Sequence, residues 1–122
     1  MTLVTACQDA SPLPLNPTLM TSLLLNLVEN AARSYDPEDE NKTVTLRACG
    51  RCFEVTDRGR GIPPEAQEHI FEPFYRVDKS RSRKQGGSGL GLALVKAIAD
   101  AHGASLSLDS APGRGTTFRV LF

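Results

Sequence analysis

The chain reads as an α+β protein, a two-layer α/β sandwich whose mixed, mostly antiparallel sheet carries helices on one face. Three features predict it. Two long stretches, 17–34 and 89–102, place apolar residues at helical spacing. Five short stretches with strand patterning are bounded by turn-forming residues. The helices interleave with strand pairs and do not alternate with strands one for one, which argues against a regular parallel βαβ sheet.

In chain order, residues 2–7 alternate weakly and predict an edge strand, and residues 9–16 are a polar, Pro-rich loop. Asn16 followed by Pro17 is a helix start: an amide that caps free N–H groups, then a proline where no N–H is needed. Leu19, Leu23, Leu24, Leu27, Val28 and Ala31 define the buried stripe of this helix, which runs to about Ser34. Residues 35–42 are acidic and turn-rich. Residues 43–48 and 52–56 predict a hairpin around Gly50-Arg51. Asp57-Arg58-Gly59-Arg60-Gly61 breaks the strand pattern, and Pro63-Pro64-Glu65 opens a short helix ending near Phe71.

Residues 74–88 hold Arg76, Lys79, Arg81, Arg83, Lys84 and two glycines without an apolar period, and predict a mobile loop. A second amphipathic helix spans 89–102 and closes at Gly103. Strands at 106–108 and 118–121 are joined by the Pro112-Gly113-Arg114-Gly115 turn. No internal repeat divides the chain, so residues 1–122 read as a single domain, with 1–15 its leading strand and loop.

Composition narrows the function. The chain has 122 residues, 40% of them hydrophobic, enough for one real core. Lys and Arg total 14 and so do Asp and Glu, so no net field recruits nucleic acid or an anionic membrane. Trp is absent and aromatics are few, which argues against a base-stacking surface. No apolar run is long enough to span a bilayer, and the first ten residues lack the pattern of a signal peptide. A cytoplasmic domain of a membrane-anchored parent is the expectation. Cys7, Cys49 and Cys52 are an odd number and fit a reducing compartment. Cys49-Gly50-Arg51-Cys52 has metal-knuckle spacing, but no second pair or nearby His completes a site, and a hairpin turn explains it.

Four segments carry chemistry. Asn26 and Asn30 are four apart and share a helix face beside the apolar stripe, where amides need partners. A neutral amide oxygen there can hold Mg²⁺, which favours oxygen ligands and keeps several waters and substrate phosphates; a surface or network role also fits. Asp57 ends a strand, so its carboxylate can accept the exocyclic amine of adenine, with Gly59 and Gly61 letting a flat ring approach; an ordinary Asp-Gly turn is the plain alternative. Phe71-Glu72-Pro73-Phe74 serves either as a core anchor or as the hinge of the basic loop that follows. Gly86 to Leu92 runs straight into a helix, where converging N–H groups and the helix dipole favour an anion. This run lacks both the preceding strand of a dinucleotide fold and the Gly-Lys-Ser/Thr ending of a P-loop.

In this order, the four segments resemble the N box, first glycine box, F box and second glycine box of histidine kinase ATP-binding domains, relatives of gyrase, Hsp90 and MutL. The resemblance runs from about Asn16 to Phe122, and GGSGLGLALVKAIADAHG (86–103) and SAPGRGTTF (110–118) are close to the family's wording. It implies that Asn30 coordinates Mg²⁺, that Asn26 contacts phosphate or helps bind the metal, and that Arg33 neutralises phosphate. It implies that Asp57 binds the adenine amine of ATP, with Gly59, Gly61 and Ile62 shaping the slot and Tyr35 and Thr116 beside the nucleotide. Phe74 would anchor a lid over 75–88, and Gly87, Ser88, Gly89, Leu90, Gly91 and Leu92 would meet the phosphates. Arg76 is a candidate for contacting the γ-phosphate or the partner domain, and Glu29 for assisting the acceptor.

The sequence departs from the family in three places. Ser34 stands where many relatives have an aromatic residue near the adenine, and Tyr35 follows it. Ala104 replaces a common Gly, and Asn16 replaces a common Asp. The acceptor implied is a histidine on a separate dimerisation domain, of the same chain or a partner subunit, with a response regulator downstream. His69 and His102 do not resemble that acceptor and are expected to be structural, so the isolated domain should be monomeric and not label itself. A hydrolytic ATPase would have a Glu where Asn26 stands. An anti-sigma-type serine kinase and a non-catalytic interaction module share the pocket. If residues 75–88 close over bound nucleotide, ATP protects them from limited proteolysis, whereas equal cleavage with and without ATP contradicts a lid.

Overall fold

The computed structural model describes residues 2–8, 15–36, 38–75 and 90–122, without the side chains of 6–8 and 49. The elements are β1 (Thr2–Gln8), α1 (Pro17–Arg33), β2 (Thr43–Cys49), β3 (Cys52–Asp57), α2 (Pro64–Gln67), α3 (Gly91–Ala101), β4 (Ser105–Ala111) and β5 (Gly115–Leu121). The strands form one sheet in the order β1-β2-β3-β5-β4. β1 pairs with β2 in parallel through the α1 crossover, and every other pairing is antiparallel. The mixed, mostly antiparallel sheet is as expected, with β1 at an edge.

Register explains why one face takes the helices. Leu46, Val55, Phe118 and Leu108 are neighbours across β2, β3, β5 and β4, and Ala48, Phe53, Val120 and Leu106 form the adjoining row. Side chains alternate along a strand, so the opposite face receives Thr56 paired with Thr117 (Oγ1 to Oγ1, 3.0 Å) and Arg119 donating to Glu54 at 2.8 Å. The apolar rows meet Met20, Leu23, Leu27 and Ala31 of α1 and Val95, Ile98 and Ala99 of α3 in one core. Ile70, just after α2, joins that core, and Phe71 packs edge-on against Phe118 with ring centres 6.0 Å apart.

α1 starts as its sequence dictates: the Asn16 side chain accepts from the Leu19 N–H at 3.0 Å, and Pro17 takes the first helical position. Its stripe is the expected one at Leu23, Leu24, Leu27, Val28 and Ala31, but it begins at Met20 and not at Leu19. Met20 is buried, whereas Leu19 is 37% exposed. Residues 20, 23, 27 and 31 are three and four apart and line up, and Leu19 falls about 100° to one side. α2 is shorter than expected, a single turn followed by further turns through Phe71. α3 begins at Gly91 after Leu90; Gly89, where the helical spacing starts, lies outside the described residues. Gly50-Arg51 makes the predicted hairpin turn between Cys49 and Cys52.

Both histidines are held within the fold. The His102 Nε2 accepts from the Asn16 N–H at 3.3 Å, so the ring proton sits on Nδ1 and is donated to the Ile98 carbonyl at 2.9 Å. His69 pairs with Glu72 and stacks on Tyr75, ring centres 5.4 Å apart.

Candidate functional site

A third row completes the helix-facing side of the sheet, and beyond Val44 it is polar. Val44, Asp57, Thr116 and Ser110 are register neighbours at the end of β2, β3, β5 and β4. Asp57 is only 3% exposed. Its Oδ1 accepts from the Gly59 N–H at 2.8 Å, while Oδ2 is buried and has no hydrogen-bond partner among the described residues. Burial pushes the Asp57 carboxyl above its ordinary value, against the opposing pull of the Gly59 N–H, the Ser34 hydroxyl, the Thr116 backbone and the Arg60 charge. A buried acceptor with an open lone pair calls for a donor from outside the described residues, a water or a ligand.

The turn after Asp57 is clamped on two sides. On one, a β-carbon on Gly59 would stand 2.1 Å from the Ser34 Oγ, so only glycine lets the turn lie against the end of α1. There the Arg60 N–H donates to the Ser34 carbonyl at 3.1 Å, and the Arg60 Nη1 to the Arg33 carbonyl at 3.3 Å. On the other, Gly61 has φ 74° and a β-carbon there would lie 2.1 Å from the Ala111 carbonyl oxygen. The Ile62 N–H donates to the Ser110 Oγ at 2.9 Å, and that hydroxyl shares a 2.8 Å bond with the Thr116 Oγ1. Gln67 closes the set, its Nε2 donating to the Ile62 and Ser110 carbonyls at 2.9 and 3.1 Å.

α1 links this turn to the start of α3. Asn26, Asn30 and Ser34 are four apart and share one helix face. Ser34 meets Gly59, and two turns back, about 12 Å along the axis, Asn26 meets Gly91. A β-carbon on Gly91 would stand 2.9 Å from the Asn26 side-chain oxygen, whose amide nitrogen donates to the Ser22 carbonyl at 2.7 Å. The side chain of Leu90, at the N-cap of α3, gives no capping hydrogen bond, and the N–H groups of a helix start favour an anion. The carboxylate, the two amides and the helix start therefore line one side of α1.

Residues 16–122 match the family of histidine kinase-, DNA gyrase B- and HSP90-like ATPases. The chain belongs to this ATPase family. It is 50% identical over 105 residues to the sensor-like histidine kinase SenX3 of Mycobacterium tuberculosis, covering 84% of this chain and 25% of that protein. The chain thus spans about a quarter of the length of the curated relatives it matches. Among solved structures, it superposes on the mycobacterial sensor histidine kinase MprB with TM-score 0.79 at 28% identity, covering 99% of this chain and 82% of that one. It superposes on full-length ShkA in complex with AMPPNP with TM-score 0.75 at 30% identity, covering 98% of this chain and 24% of that one.

Within this ATPase domain, Asp57, Gly59, Gly61, Ile62 and Thr116 come together around one turn, and Asn26 and Gly91 meet at the other end of the site. Asn30 lies half-buried between them. Leu92 is half-buried against the core, and Leu90 is 43% exposed at the head of α3. Arg33 and Glu29 are exposed and paired with each other at 3.7 Å. Tyr35 is buried beneath the turn with its hydroxyl bonded to backbone. Phe74 is 71% exposed at φ 66°, a left-handed conformation rare for a bulky residue. Arg76, Gly87, Ser88 and Gly89 lie outside the described residues, as does the expected lid beyond Tyr75.

Sequence reasoning did not single out Ser110 and Gln67, which hold Ile62 in place, or the role of Ser34 against Gly59. A short polar side chain reveals such a role only once its neighbours in space are known.

The raised carboxyl has a stability consequence. Folded Asp57 holds its proton to higher pH than it does unfolded, above 3.8, so its stabilising share is complete below that value and is lost as pH rises through the folded titration. Asp57→Asn removes this dependence. The melting temperature of the nucleotide-free variant is expected to gain on wild type between about pH 4 and about pH 7; calorimetric scans giving a constant gap would contradict a desolvated carboxylate.

Proposed function

We propose that this domain binds Mg-ATP along α1 and donates the γ-phosphate to a histidine on a separate dimerisation domain, as the catalytic part of a two-component sensor histidine kinase. The observation that carries the reading is Asp57, buried at a strand end with one carboxylate oxygen unpartnered among the described residues. An adenine amine would supply the missing donor. The relatives named above as sensor histidine kinases support the phosphotransfer reading, and ShkA in complex with AMPPNP supports a triphosphate ligand.

The donor set also fits the metal. Among the described residues no cluster of three or more His, Cys, Asp or Glu could hold an ion by itself. Asn30 would give Mg²⁺ one amide oxygen, the remaining ligands coming from phosphate and water, and the ion would offset phosphate charge. Asn26 lies where the phosphates would reach α3, and Arg33 would add positive charge. Phosphoryl transfer asks the protein mainly for positioning and charge neutralisation. Asn26 carries an amide, which cannot take a proton from water, and this favours transfer over hydrolysis. The response regulator that would receive the phosphate, and a membrane-anchored parent, follow from the same reading; no described helix is long and apolar enough to cross a membrane.

Asp57→Ala and Asn30→Ala are each expected to weaken Mg-ATP binding by about 100-fold or more while circular dichroism stays unchanged; titration calorimetry returning the wild-type affinity would remove the site. With γ-labelled ATP, the domain alone is expected to stay unlabelled, and an added dimerisation domain from its parent chain to acquire acid-labile label. Acid-stable label in that partner would mean a serine or threonine acceptor.

A further inference from the structure

We propose that Tyr35 is a positioning residue: its phenol hydroxyl fixes the turn that aims Asp57, without contacting the nucleotide. This rests on the reading of Asp57 as the adenine acceptor. Tyr35 follows the end of α1 and is only 5% exposed. The hydroxyl donates to the Thr43 carbonyl at 2.5 Å and accepts from the Arg58 N–H at 2.8 Å. Thr43 precedes Val44, the cross-strand partner of Asp57, and Arg58 follows Asp57 directly. One phenol therefore ties the residue that follows Asp57 to the start of β2.

The tie matters because of where the ladder stops. Asp57 is the last residue of β3 paired with β2 and β5, so the Arg58 N–H is the first beyond the sheet's own bonding. The next N–H, that of Gly59, holds the Asp57 Oδ1. Holding Arg58 thus sets where the Gly59 N–H points, and that in turn sets which oxygen of Asp57 is left open. A phenylalanine would fill the same apolar volume but leave the Arg58 N–H and Thr43 carbonyl without this partner. If Tyr35 served only as core, the hydroxyl would be dispensable.

The test compares wild type, Tyr35→Phe and Asp57→Ala by Mg-ATP titration and by amide hydrogen exchange. Tyr35→Phe is expected to lower ATP affinity about tenfold. Exchange at Arg58 and Gly59 should accelerate, while Val55 and Phe118 stay within about twofold of wild type. Wild-type affinity and exchange in Tyr35→Phe, with Asp57→Ala still failing to bind, would overturn the role of Tyr35 alone. If Asp57→Ala keeps wild-type affinity, the adenine reading itself fails. Should Tyr35→Phe not fold, the Arg58 amide of wild type decides: slow exchange without nucleotide supports the tie, and exchange at the rate of an open loop overturns it.

Discussion

The site depends on a carboxylate taken out of water at the end of a strand and given only part of its hydrogen bonding. Burying an ionisable group with an open lone pair costs free energy, and the Asp57 carboxyl is pushed up accordingly. The fold tolerates this because the surrounding turn is held by other means: the end of α1 on one side and the β4–β5 hairpin on the other. The Asp57 Oδ2, without a hydrogen-bond partner among the described residues, is thus held in place by its surroundings. A ligand donating to it would gain a bond without first having to order the turn.

α1 acts as the ruler of the site. Its apolar stripe fixes it against the sheet through Leu23 and Leu27, both fully buried. The face beside that stripe then presents Asn26, Asn30 and Ser34 at intervals of one turn. Ser34 reaches the carboxylate turn and Asn26 reaches the head of α3. Core packing and the placement of this polar face are thus set by the same helix, so a rotation of α1 would disturb both. The two histidines take no part in this arrangement: His102 bonds to Asn16 and Ile98, and His69 to Glu72.

Much of the architecture was legible because its signals are local. Asn16-Pro17, the hairpin at Gly50-Arg51 and the turn before Gly115 each specify backbone conformation through a few neighbouring residues. The burial stripe of α1 was one residue off in its first turn, because periodicity gives a face but not which edge of that face meets the sheet. The four chemical segments could be named in order, since their residue types suit the chemistry regardless of distance along the chain. Tyr35 shows the limit: the resemblance implied a neighbour of the nucleotide, and only the structure reveals that its hydroxyl bonds to the backbone at Thr43 and Arg58.

The sequence by itself determined the element types, the alternation that makes one sheet face apolar, and the inventory of amides, carboxylate and glycines. Those follow from side-chain chemistry and from the periods of helix and strand. Only the tertiary structure decided that one oxygen of Asp57 has no partner among the described residues, that Ser34 and Gly59 touch, and that Ser110 and Gln67 hold Ile62. Such contacts join residues as far apart as 62 and 110, and a hydrogen bond depends on tenths of an ångström, which register and packing set and spacing along the chain does not.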